Sequence, residues 1–470
     1  MMEITWELLS ESALEKVDRE SLGLLERVGL DVFNAALREL LARRGAQVEG
    51  ERVRFPPDLV RWALAAAPRP LSLFGRDGRE LNLAPGNSFF SCYGDALFVT
   101  DYGATGQRPS TRQDVVDFAR LSDALPIIDK VSAVCHARDM PGPVQLLYTL
   151  EAVLSNTLKF HSFAPQNLKE AEIAYEMALI ANGGRAIAEY PTLHSGVSTT
   201  SPLRLDADSG DILMFMASKR VPLISAPCPM SGGTSPFSLM GTLLLQNAEN
   251  LALITMAQCV EEGCPMIMGG AAGPMDPRSG RLAYGAPERS LLMAANNQIQ
   301  RFYGLPTHAA SIATNSWQPD IQTGAERTLI VFVRLMMRPN LWGGAGGLCS
   351  GKTVSMEQMV IDEHLVRMVG RFFQGVDSSD SMWAMEEIER VGPAGSFLTE
   401  PSTLKLMRSG EMYLSALVNM EEDRGASMVE RAHQQVQQIL ASHRSPVPES
   451  VVEELEGYVE RRSKRLLRSE

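Results

Sequence analysis

Apolar and polar positions in this chain repeat with two periods that take turns along its central part. Short apolar runs recur at 131–136, 158–163, 192–197, 221–226, 265–270, 306–311 and 341–344. Each is followed by a longer stretch with apolar residues at helical spacing: a helix to residue 156, then 168–181, 206–219, 237–260, 287–303, 322–337 and 355–373. The connections are of ordinary length. Alternation of this kind predicts a parallel sheet covered by helices. No glycine-rich dinucleotide turn follows the first strand, which disfavours the open Rossmann arrangement. The pattern therefore predicts a TIM-type (β/α)8 barrel of the α/β class, with its remaining strand somewhere in 89–100. Flanking it are a helical and hairpin extension over 1–110 and a helical C-terminal segment over 376–470, with 111–375 as the barrel. Thr111 is placed to cap the first barrel helix.

Composition narrows the class. The chain has 470 residues, 45% hydrophobic and 21% charged, as expected of a globular protein large enough for one barrel with extensions. A formal charge of -12 argues against a general nucleic-acid binder. The N-terminal stretch MMEITWELLSES has neither a basic region nor a long apolar core, and no run approaches the ~20 apolar residues of a membrane span. A cytoplasmic protein without membrane contact is expected. The six cysteines are scattered with no paired metal-ligand spacing, as for reduced thiols.

Barrel chemistry sits just past the C-terminal ends of the strands. Those positions hold Cys135, His136, His161, Phe163, His194, Ser195, Cys228, Asp276, His308, Ser311, Asn315, Trp317 and the glycines of 343–347. His136, His161 and His194 follow consecutive strands, yet lack HExxH or CxxC spacing, so no metal site is expected. The run ATNSWQPDIQTGAE passes from a buried strand to a helix through Asn315, Ser316 and Trp317, and Pro319-Asp320 suit a helix start. Glu249, inside the apolar helix 237–260, must be paired or exposed, with structural pairing the expected role. Thr234 and Pro236 stand at the predicted start of that helix, where free amides could hold an anion. GGLCSGKT at 346–353 matches a phosphate-binding loop literally, but no second magnesium-binding strand follows it. Its glycines are better read as letting a bulky group approach the backbone.

Several longer segments carry a resemblance: GATGQRPSTRQDVVDFARLSDALPIID, SPLRLDADSGDIL, PMSGGTSPFSLMGTLLLQNAENLA, GCPMIMGGAAGPMDPRSGRLAYGAPE, NSWQPDIQTGAE and VGPAGSFLTEPSTLKLMRSGEMY. Through them the chain resembles the trimethylamine methyltransferase superfamily, in its members lacking pyrrolysine. The resemblance implies a barrel enzyme that moves a methyl group to Co(I) of a corrinoid (cobalamin) carried by a separate protein. It also implies a quaternary amine such as glycine betaine as donor, because its leaving group is already neutral and needs no activation. On this reading Trp317 and Asn315 contribute most to the site. Tyr93, Phe163 and Tyr284 are further aromatic candidates for the cation, and His161, His194 and the amides near Thr234 are donors for a substrate carboxylate. Few full carboxylates are expected against the nitrogen, since charge leaves it in the transition state. Gly343, Gly344, Gly346 and Gly347 are the candidates for approach of the corrinoid, and a homo-oligomer is expected. This chain departs from the family pattern at Trp317, where many relatives have lysine, and at Pro401, before Ser402-Thr403; both changes make the pocket less charged. No Asp-x-His-x-x-Gly corrinoid run is present, so the corrinoid comes on a partner. The alternatives are a betaine-binding protein without turnover and, less well supported, a nucleotide-binding protein.

Overall fold

The structure is a computed structural model that describes residues 6–418, 420 and 425–468. Seven parallel strands form one curved sheet: β1 (Phe89–Cys92), β2 (Ile128–Ser132), β3 (Phe160–Phe163), β4 (Leu193–Val197), β5 (Leu223–Ser225), β6 (Met266–Met268) and β8 (Leu341–Ala345). Each pairs with the next in chain order, and β8 pairs with β1. The gap between β6 and β8 is bridged by residues 307–308, here β7. Thr307 bridges Met268 and His308 bridges Leu341, both in parallel. The N–H of His308 donates to Met268 (2.8 Å) and that of Leu341 to Thr307 (3.0 Å), so the barrel closes. The strand expected in 89–100 is β1.

Eight helices alternate with the strands: α1 (Arg112–Ala124), α2 (Gly142–Leu154), α3 (Leu168–Ala181), α4 (Ala207–Ser218), α5 (Leu239–Val260), α6 (Pro287–Phe302), α7 (Ile321–Met337) and α8 (Met356–Gln374). Their starts follow from local chemistry. Thr111 caps α1 in a reciprocal capping box with Asp114, and the side chains of Asn167, Ser238, Asp320 and Ser355 cap α3, α5, α7 and α8. α5 is apolar on all sides because it is covered on all sides. The barrel lies beneath it, and the N-terminal helices Glu11–Arg27, Ala35–Arg43 and Pro57–Ala66 lie over it. Glu249 on this helix is buried without an ion pair; it accepts hydrogen bonds from Thr199 Oγ1 (3.0 Å), Ser201 Oγ (2.7 Å) and the Leu203 N–H (2.7 Å). The carboxylate so holds the loop after β4.

The hairpin Ser72–Phe74/Glu80–Asn82 closes the N-terminal end of the barrel. Its neighbours Leu71 and Leu83 and its own Leu73 and Leu81 pack against Phe160, Ile224, Ile267 and Leu341. The barrel is thus plugged below and leaves its C-terminal mouth for chemistry. C-terminally, Met428–Ser442 packs on α1 and α8, and Glu449–Leu466 on α2 and α3. Between α8 and Met428 only two short α-helices, Met385–Val391 and Pro401–Met407, and one 3-10 turn, Asp380–Met382, form among the described residues, so this part is less helical than the sequence suggests. The stretches 1–5, 419, 421–424 and 469–470 of the two predicted extensions lie outside the described residues. No helix among the described residues is long and apolar enough to cross a membrane.

Candidate active site

The C-terminal mouth holds a cavity of about 270 Å³. The last residues of the strands and the turns after them make its walls. Ser91, Tyr93 and Asp95 come from β1 and its turn, Lys130 and Ser132 from β2, Ser162 and Phe163 from β3, His194 from β4, His308 and Ser311 from β7 and its turn, and Gly343 and Gly344 from β8. Side chains alternate along a strand, so Lys130 with Ser132, and Phe160 with Ser162, point inward. His161, between the latter two, faces the helices and is not in the lining.

The polar groups of the cavity are unusual in charge. Lys130 is 7% exposed. Its Nζ donates to His194 Nε2 (3.2 Å), and no carboxylate lies within ion-pair distance among the described residues. Burial pulls this ammonium down to about 8. Burial also holds His194 far below its ordinary range and His308 at about 3, so both rings are neutral; the Nδ1 atoms of both are sealed in without a partner. Accepting from lysine places the His194 proton on Nδ1. Asp95 lines the same cavity from the turn after β1, on a left-handed residue (φ 66°), and it and Lys130 attract each other without touching. The side chain remains 44% exposed, yet crowding by protein pushes its carboxyl up to about 7. Nearest to it is His136 Nε2 at 3.6 Å.

Behind Tyr93 lies the phosphate-loop lookalike. A phosphate cradle needs free amides. Here the N–H of Gly346 donates to Asp362 (2.8 Å), that of Cys349 to Ser316 (2.6 Å), that of Ser350 to Thr314 (2.7 Å) and that of Lys352 to Cys349 (3.2 Å). Gly347–Leu348 pairs antiparallel with Thr353–Val354. The stretch is a closed hairpin, and the nucleotide reading is set aside on that ground. Its glycines make room for Tyr93: a Cβ at Gly347 would sit 2.5 Å from the ring, and one at Gly351 would overlap the phenol oxygen. Gly343 and Gly344 are similarly explained, since a side chain there would meet Ser91 and Ser311. Gly346 faces Ser355 and Met359. At all four predicted glycines the space beside the backbone is held by the protein itself.

The remaining predicted residues separate into two groups. Tyr284 and Asn315 line a neighbouring cleft of about 700 Å³ with Asp276, Glu326, Ser350 and Lys352. Asn315 is committed to structure: it accepts from the Tyr284 N–H (2.7 Å) and donates to Leu282 O (3.0 Å) and Ser350 Oγ (2.8 Å). Arg289, buried behind Tyr284, lies over its ring at 4.5 Å and donates to Ser311 O (3.1 Å). Trp317 is half-buried and lines neither space; its carbonyl accepts from Thr100 Oγ1 (3.2 Å). Thr234 lies in a turn before α5, accepting from the Met230 N–H (2.8 Å), and the helix begins only at Leu239. No group of three histidine, cysteine or acidic residues among the described residues converges to hold a metal. Sequence reading passed over Lys130 and Asp95, because both lay outside the predicted strand ends.

The trimethylamine methyltransferase (MTTB) family matches residues 3–466. Glycine betaine methyltransferase of Desulfitobacterium hafniense strain Y51 is 31% identical over 484 residues, covering 98% of each chain. Trimethylamine methyltransferase MttB of Methanosarcina barkeri is 30% identical over 474 residues, covering 97% of this chain and 95% of that one. In structure, the monomethylamine methyltransferase MtmB of Methanosarcina barkeri superposes with a TM-score of 0.53 at 12% identity, over 91% of this chain and 86% of that one. The last likeness shows a shared fold.

Proposed function

The chain belongs to the trimethylamine methyltransferase family and is a methyltransferase, and on that premise we propose that it moves a methyl group from a quaternary amine, glycine betaine or a similar betaine, to Co(I) of a corrinoid carried by a separate protein. The observation that carries this reading is the cavity at the barrel mouth, where Tyr93 stands with a single carboxylate, Asp95; Phe163 borders it at the end of β3, with its ring packed toward the helices. Aromatic faces attract a quaternary ammonium by roughly 0.5–2 kcal/mol each. The carboxylate adds attraction, and the crowding that raises its carboxyl weakens its hold on a full charge, so the cation is held without being over-stabilised. When bound, a Co(I) corrinoid supplies a strong nucleophile for the methyl carbon. The chain's own residues hold the nitrogen, aim the N–CH3 bond outward through the mouth and exclude water; alignment of this kind contributes roughly 7–11 kcal/mol. The surface past the strand ends fits a partner of this kind. Leu97, Phe237 (71% exposed), Met240 and Ile321 (92% exposed) leave apolar side chains in solvent on the loops and helix starts there.

A panel of quaternary and tertiary amines, offered with a Co(I) corrinoid and followed by the Co(I) spectrum, tests the reaction. Loss of the Co(I) spectrum with demethylated product is expected for betaines and not for trimethylamine. Betaine binding with no product for any amine would favour the binding-protein alternative.

Asp95 gives a pH signature. Desolvation by the surrounding protein, helped by Glu170 and opposed by Lys130, pushes its carboxyl up to about 7, so protonation below that pH removes the negative charge. Affinity for a quaternary ammonium is expected to rise between pH 6 and 8, and in Asp95→Asn to vary far less over the same range. Calorimetric titration at several pH values measures both. An unchanged slope in the variant would remove Asp95 from the site.

The segment after α8 supports a homo-oligomer. Val376, Trp383, Leu398, Met412 and Leu414 are exposed, and among the described residues of the segment Leu417 alone is a buried apolar one. Apolar surface of this extent in so short a segment calls for a covering partner. Light scattering should find an oligomer, and joint replacement of Trp383, Leu398 and Leu414 by serine should shift it to a smaller species. A monomeric wild type would refute this part.

A further inference from the structure

We propose that Lys130 anchors the anionic end of the substrate, which makes the cavity a site for short zwitterions bearing a carboxylate a few bonds from the quaternary nitrogen. This rests on the quaternary-amine reading of the site. An ammonium more than nine-tenths buried is costly without a counter-charge. Lys130 is that group: one of its three N–H donors goes to neutral His194, and no acidic side chain pairs with it among the described residues. Around it stand Ser91, Ser132, Ser162 and His308, all in the cavity lining. The Ser132 and Ser162 hydroxyls bond each other at 2.7 Å, and one of the two protons is free for an acceptor. The missing negative charge is therefore one that arrives with the ligand.

The chemistry of that ligand follows. A single ammonium among hydroxyls suits a carboxylate, whereas phosphate groups are met by forked or multiple cationic donors. The turn after β1 brings the opposite pattern to the same cavity, with Asp95 and Tyr93; Asp95 attracts Lys130 across it but does not reach ion-pair distance. A molecule positive at one end and negative at the other matches both. A bare cation of the trimethylamine or tetramethylammonium type meets Asp95 but leaves Lys130 unpaired and repelling it. Lys130 is thus a specificity-determining residue that selects betaines over simple amines.

Lys130→Met tests this, with glycine betaine and ethyltrimethylammonium, its counterpart lacking the carboxylate, as probes in calorimetric titrations. In a variant that melts as the wild type does, betaine affinity is expected to fall about ten- to a hundredfold, while ethyltrimethylammonium binds as well or better. Unchanged betaine affinity, or an equal loss for both ligands, would overturn the proposal. A second measurement needs no variant. In the wild type, acylation of the Lys130 amine, read by mass spectrometry, should be slowed by glycine betaine and by acetate but not by ethyltrimethylammonium. Equal acylation in all three overturns the anchor. Shielding by acetate in a protein that binds no quaternary amine would keep the anchor and discard the amine reading instead.

Discussion

Gly351→Ala is expected to cut methyl transfer about a hundredfold, the loss that a displacement of about 1 Å at a positioning group can cause. Gly351 has φ +82°, and a Cβ there would overlap the Tyr93 hydroxyl. The alanine strains the turn and drives the phenol out of its slot against Gly347 and Gly351. Tyr93 follows directly on β1 and lines the cavity, so its movement reshapes the wall that faces the substrate. Gly370→Ala is the control: it lies within α8 with open space beside it, where alanine favours the helix. Steady-state rates and melting curves of both variants distinguish a local effect from unfolding. Wild-type rates in a folded Gly351→Ala protein would show that Tyr93 has no part in the site.

Asp362→Ala is expected to destabilise the fold by about 3–5 kcal/mol, the cost of leaving a buried charge without its partner. Arg327 on α7 and Asp362 on α8 are both fully buried, with Nη1 donating to Oδ2 at 2.6 Å. Asp362 also accepts from the Gly346 N–H (2.8 Å) and from Gln358 Nε2 (2.8 Å), and Arg327 Nη2 donates to the Gly347 carbonyl. Burial raises the carboxyl, while Arg327, Gly346 and Gln358 oppose that rise. The pair thus ties two helices to the hairpin that cradles Tyr93. Chemical denaturation measures the loss. Replacing both residues by apolar ones of similar size, Arg327→Met with Asp362→Leu, should recover much of it, because no orphan charge remains. Equal destabilisation of the single and double variants would contradict this account.

Much of the fold was legible because helix and strand periods alternate cleanly. Leu168–Ala181 has the predicted bounds, and α5 announces its covered position through apolar residues on every side of the helix. The site was harder to read for a physical reason. The first internal strand was expected at 131–136, since Val131, Ala133, Val134 and Cys135 continue the apolar pattern past a charged pair. The strand is Ile128–Ser132, and it includes that pair. Asp129 takes the Phe90 N–H (2.9 Å) and Arg79, while Lys130 enters the cavity. An apolar count cannot extend a strand back through a charged pair, although here the pair belongs to it and its Lys130 lines the cavity. Trp317 erred the other way in prominence: a large aromatic on a strand-to-helix loop draws attention, yet its place lies outside both spaces at the mouth. In GGLCSGKT the glycine spacing was right about close approach, but the approaching group is the chain's own Tyr93.

The most direct measurement follows the methyl itself. Glycine betaine labelled with carbon-13 in its N-methyl groups is mixed with the protein and one equivalent of Co(I) corrinoid, and the label is traced by NMR. The account predicts one labelled methyl on the corrinoid for each dimethylglycine formed. Label that stays wholly in betaine, with Co(I) unchanged and the protein folded, would contradict it.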